Sequence, residues 1–159
     1  MLLSATAKKL EGVGVQTLGV MATGPDQARL FFKFRPPRIR VGCDPELMTH
    51  RTYGVPNTAP TPEMWQAVQA AAVNELRGLR HPEVPAAEAY EALGRLDGYA
   101  PTEGDMADFE RHRAQLTGQF LIDRDGVVRW AHIECVQDDL AGLDQMPSDE
   151  ELLAAARTL

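Results

Sequence analysis

The chain has 159 residues, enough for one domain with a genuine core. Hydrophobic residues make up 44% and charged residues 25%, as in ordinary globular proteins, and a formal net charge of −7 argues against non-specific binding to nucleic acid or an anionic membrane. No apolar run reaches the roughly 20 residues that span a bilayer, no basic start followed by an apolar stretch marks a signal peptide, and the two cysteines, Cys43 and Cys135, are too few for a disulfide framework and suit a reducing cytoplasm.

Leu2, Leu3, Ala7 and Leu10 have helical spacing, and Gly12 and Gly14 stop that helix. Val15 to Val20 is a mostly apolar run of strand length, the profile of a buried parallel strand. Thr23-Gly24-Pro25-Asp26 turns the chain into a helix with Leu30, Phe31 and Phe34 inward, and Pro36-Pro37 ends it. Arg38-Ile39-Arg40-Val41 alternates as an edge strand does. Asp44 caps a short helix with Pro45 at its first position, and Tyr53-Gly54-Val55-Pro56 closes it.

Pro62 to Leu79 is the longest helical pattern, with Met64, Trp65, Val68, Ala72, Val73, Leu76 and Leu79 clustering on it. Residues 86–96 and 102–116 read as two further helices. Gly118 to Trp130 reads as two short apolar strands joined by an Asp123-Arg124-Asp125-Gly126 turn. Ser148-Asp149-Glu150-Glu151 is a capping-box pattern that opens a last helix near 150–157. Strands alternating with helices define an α/β chain. The expected sheet is mainly parallel, with its last two strands antiparallel and helices on both sides.

Few residues stand out for chemistry. A thiol near a helix N-terminus is acidified, which draws attention to Cys43, but the neighbouring Asp44 opposes thiolate formation. The other reading of Cys43 is a small, partly buried residue at a strand end. Cys135 follows the hairpin and has Glu134 beside it, and pairing of the two thiols depends on geometry. His50, His81, His112 and His132 show no zinc spacing. His112, between Arg111 and Arg113, reads as solvated, and His132 shares a strand face with Trp130.

Lys33, Arg35, Arg38 and Arg40 place four cations in eight residues, a seat for an anion or acidic partner or a charged guard on an edge strand. Asp123 and Asp125 belong to a turn and lack the rest of a calcium loop. Gly12-Val13-Gly14 precedes a strand and is no dinucleotide motif. Neither a metal nor a cofactor is expected.

Four stretches, in order, resemble the peroxiredoxin family of the thioredoxin fold. Lys8 to Val20 is similar to that family's first long helix and following strand. Cys43-Asp44-Pro45-Glu46 with Arg51-Thr52-Tyr53-Gly54-Val55 resembles its Asp-Pro turn and Tyr-Gly-Val element. Gly118 to Trp130 resembles its late hairpin, and Pro147 to Leu153 its closing helix. The resemblance implies a single thioredoxin-like domain over 1–159, with a helical insertion at about 60–116.

It also implies two losses. The family's N-terminal strand and nucleophilic-cysteine loop would precede residue 1, and Thr117 falls where the family places an arginine beside the thiolate. The missing strand would lie between 15–20 and 119–123. Those two runs then pair directly, take a strand from a partner chain, or receive one encoded upstream.

The leading expectation is a cytoplasmic member of a thiol-redox family without peroxidase activity in this form. One alternative is an active thiol oxidoreductase or peroxidase using Cys43. Another is a non-catalytic binding or assembly module built on the insertion. The expected partners are a second copy, another protein or a thiol reductant, with neither nucleic acid nor membrane.

Overall fold

The computed structural model describes residues 2–96, 98–136 and 139–159, with side chains from Ala5 onward at the N-terminus. Among the described residues it is a mixed α/β chain with seven α-helices and small sheets. Its described residues divide into two compact units: one takes those up to Pro56 with 116–133 and 146–159, the other those of 57–115 and 134–145.

The first unit begins with α1 (Leu2–Glu11), whose Ala7 and Leu10 are buried. Whether Leu2 and Leu3 share the face of Ala7 and Leu10, as their spacing predicts, lies outside the described side chains. Gly14 has a φ of +86°, a left-handed geometry that costs glycine nothing, and it turns the chain so that the Val15 amide donates to the Leu10 carbonyl. Strand β1 (Leu18–Met21) pairs in parallel with β2 (Arg40–Cys43), and α2 (Pro25–Phe34) crosses between them. A short helix α3 (Met48–Thr52) follows.

The hairpin of β5 (Gly118–Ile122) and β6 (Val128–Ile133) pairs Gly118 with Ile133 and Leu121 with Trp130. Its turn uses Gly126 at a φ of +80°. The closing helix α7 (Asp149–Ala156) carries a complete capping box: the Ser148 hydroxyl accepts from the Glu151 amide, and the Glu151 carboxylate accepts from the Ser148 amide. Leu10, Leu121, Leu152 and Ala156 form the unit's core, with Val15, Trp130 and Leu153 against it. Thr6 and Lys9 of α1 both bond the Asp149 carboxylate at the start of α7.

The second unit is mainly helical. Helix α4 (Pro62–Gly78) is capped by the Thr61 hydroxyl, and α5 (Ala86–Arg95) packs on it through Ala72, Leu76 and Ala89. Helix α6 (Glu103–His112) has its own capping box from Thr102 and Asp105. A two-residue ladder joins β3 (Asn57–Thr58) to β4 (Ala114–Gln115).

Several expectations are corrected. Among the described residues the strands form three two-stranded ladders and not one mixed sheet, and β1 does not pair with β5. With a neighbour on one side only, β1 is not a buried strand: Leu18 is 64% exposed. Phe34, in the last turn of α2, is exposed, and Ala28 is that helix's buried residue. Trp65 and Leu79 face outward while Met64, Ala72 and Leu76 face inward. The helix expected over 102–116 stops at His112, because Arg113 turns to a φ of +60° and the next two residues enter β4. His112 is therefore buried, not solvated, and its carbonyl accepts from the Asn57 side chain.

Gly118 sits where no side chain fits. A Cβ there would lie 2.5 Å from Val55 Cγ2 and 2.8 Å from the Phe120 ring. Gly118→Ala is expected to lower stability by about 1–3 kcal/mol through overpacking, read as a lower urea midpoint, with partial recovery in the Gly118→Ala/Val55→Ala double variant. An unchanged midpoint would show that the strand shifts freely and that the close approach is not a constraint.

Candidate functional site

Parallel strands in α/β proteins commonly present chemistry at their carboxyl ends. Cys43 occupies that place: it is the last residue of β2, half-buried, opposite Met21 of β1. The next amide, of Asp44, still donates to the Met21 carbonyl at 2.8 Å. The chain then leaves the ladder, and the Asp44 carboxylate accepts from the amides of Met48 at 3.0 Å and Thr49 at 2.6 Å. The helix thus begins four residues later than Asp44, and Cys43 belongs to the strand, not to a helix N-terminus.

Burial works to raise the Asp44 pKa, but the Thr49 and Met48 amides, the Thr49 hydroxyl and His50 outweigh it and hold the carboxyl below its usual value. The carboxylate on the residue next to Cys43 is thus fixed by two backbone amides. His50 Nδ1 lies 3.9 Å from Asp44 Oδ2, and the two side chains are only 14% and 11% exposed. That nitrogen has no hydrogen-bond partner among the described residues. The Asp44–His50 pairing was invisible in the sequence, because three loop residues separate Asp44 from α3, whose N-cap is Leu47 and whose first residue is Met48, not Pro45.

Cys135 lies in the second unit, in a turn where its own φ is +61°. Burial pushes its thiol up, and the Glu134 and Asp139 carboxylates push it further in the same direction. Glu134 is buried and accepts from the Asp144 amide at 2.6 Å, closing the loop that holds the cysteine. Burial and Glu134 likewise raise the Asp144 carboxyl. Both cysteines are free thiols.

The histidines are dispersed. The His132 ring stacks on Trp130 with centroids 6.4 Å apart, and His81 Nδ1 lies 2.8 Å from the Pro82 carbonyl oxygen. Among the described residues no group of three or more His, Cys, Asp or Glu side chains converges as a metal site. None of the described helices is long and apolar enough to cross a membrane. In the basic segment, Arg35 lies over the Phe31 ring at 4.9 Å and Arg40 donates to Gln16 Oε1 at 2.9 Å. An aromatic group on the second unit carried no sequence signal, since Trp65, Tyr90 and Phe109 come from three different helices.

The hairpin turn is organised by one carboxylate. Asp123 Oδ1 accepts from the amides of Asp125 and Val127, each at 2.9 Å, and Oδ2 accepts from Arg129 Nε at 2.6 Å. Asp123 and Asp125 therefore serve the turn. Within the first unit, the Tyr53 and Phe120 rings lie 4.8 Å apart, so the Tyr53-Gly54-Val55 segment packs on the entrance of the hairpin that Thr117 precedes.

No family model matches the chain, and no curated protein or solved structure matches it either.

The Val127 amide and then Arg129 hold the Asp123 carboxyl below its usual value. Because the folded-state pKa lies below the unfolded one, the stability this group contributes is present above the unfolded value and is lost as pH falls through the folded one. Asp123→Asn is expected to lower the urea midpoint near neutral pH, with the gap to wild type narrowing in acid. A gap that stays constant with pH would remove the charge from this account.

Proposed function

We propose that this chain is a thioredoxin-like domain. Within that class we assign it to the peroxiredoxin type, as a protein that turns over no peroxide with the thiols it carries. The observation that carries the reading is the setting of Cys43: a strand end beside a carboxylate already held by two backbone amides. A peroxidatic thiol needs the opposite environment, with positive potential that favours thiolate.

The second thiol supports the same conclusion, since burial and two carboxylates push Cys135 up. It is held as the neutral thiol, which is the poor nucleophile. Support for the class comes from the order of the four family-like stretches and from the packing of Tyr53 and Val55 on Phe120 and Gly118. Cytoplasmic residence fits the free thiols.

Peroxide consumption with a thioredoxin-type or small dithiol reductant is expected to show no turnover above a Cys43→Ser/Cys135→Ser control. Turnover abolished by Cys43→Ser alone would overturn the proposal in favour of a relocated nucleophile. Alkylation by iodoacetamide below neutral pH provides an independent measure. Cys43 should react no faster than a small-molecule thiol, and Cys135 more slowly still.

A further inference from the structure

The second unit presents an aromatic face that its own core does not use. Trp65 of α4 lies 6.4 Å from Tyr90 of α5 and 6.1 Å from Phe109 of α6, ring centroid to ring centroid. These side chains are 41%, 54% and 36% exposed, and Met106, one turn before Phe109, is 55% exposed. Monomers rarely leave contiguous aromatic surface uncovered, and Trp, Tyr, Phe and Met are the residues that anchor protein interfaces.

Charge identifies what covers it. On α6, Glu103, Met106 and Glu110 follow at helical spacing, so two exposed carboxylates flank the apolar side chains on one side of the helix. Asp105 is occupied by the capping box and Asp108 faces Arg111, which leaves Glu103 and Glu110 as the outward negative charges. The complementary surface is on the same chain. Lys33, Phe34, Arg35, Pro36 and Arg38 are all exposed, and this is the chain's basic cluster. Phe34 projects from the last turn of α2, and Pro36-Pro37 offers two rigid apolar rings of the kind that dock on aromatic side chains.

We infer that the Trp65–Tyr90–Phe109 face of one copy receives the basic, proline-containing segment 33–40 of a second copy, with Arg35 and Arg38 meeting Glu103 and Glu110. Each copy carries both surfaces, and the inference includes a closed pair in which the contact is made twice. The inference is independent of the redox reading, since neither thiol takes part.

Sedimentation of the full chain tests it, with two variants that keep the folded far-UV spectrum. Arg35→Glu/Arg38→Glu makes both surfaces acidic, and Glu103→Lys/Glu110→Lys makes both basic. Wild type is expected to sediment at twice the chain mass at about 100 µM in low salt and to dissociate as salt screens the contact. Each variant alone is expected to be monomeric, and an equimolar mixture should restore the dimer because every pairing is again opposite in charge. A monomeric wild type overturns the inference. So does a dimer that both variants retain, or a mixture that stays monomeric.

Discussion

The absent side chain at position 118 is the constraint on which the first unit depends. Gly118 lets β5 approach Val55 closely, and two residues further on Phe120 meets Tyr53. The same strand then delivers Leu121 to the core formed with Leu10, Leu152 and Ala156. Alternation along a strand gives these residues their separate tasks: Gly118 and Phe120 secure the α3 loop, and Leu121 faces the terminal helices. The hairpin is thus fixed by contact on one side and by burial on the other. Its turn needs neither, because the Asp123 carboxylate satisfies two turn amides and Arg129 locally.

The surroundings of the two thiols share one feature. Each has a carboxylate as chain neighbour, and in each case the structure commits that carboxylate to backbone amides. Asp44 is held by the start of α3 and Glu134 by the Asp144 amide. Such carboxylates are held by the backbone and are not free to swing into solvent. One of these cysteines ends a strand and the other lies in a turn.

Features governed by neighbours in sequence were legible before the structure. The capping box at Ser148, the Asp-Arg-Asp-Gly turn, the long helix from Pro62 and the glycine stop after α1 each rest on local chemistry. What was not legible depends on distant pairing. The end of α6 is set by Arg113, a residue with no special preference for positive φ, and it follows from Ala114 and Gln115 joining Thr58 and Asn57. That pairing also buries His112, which lies between two arginines and looks solvated in sequence. The apolar run at 15–20 looked fully buried, but apolar composition cannot report how many neighbours a strand has. At the candidate site, Cys43 and Asp44 were visible, whereas His50 was not. The aromatic face was hidden because one residue from each of three helices makes no pattern in the chain.

The bonds from Thr6 and Lys9 to Asp149 have a consequence in time. They join residues 143 and 140 positions apart. During synthesis Thr6 and Lys9 of α1 are made at least 140 residues before the residue that pins them. At cellular elongation rates the interval is on the order of ten seconds, long compared with the formation of a helix or a hairpin. Helices α4 and α5, whose packing is local, have the means to assemble within that interval. Leu10 of α1 gains its core partners Leu121, Leu152 and Ala156 only once the hairpin and α7 have been made.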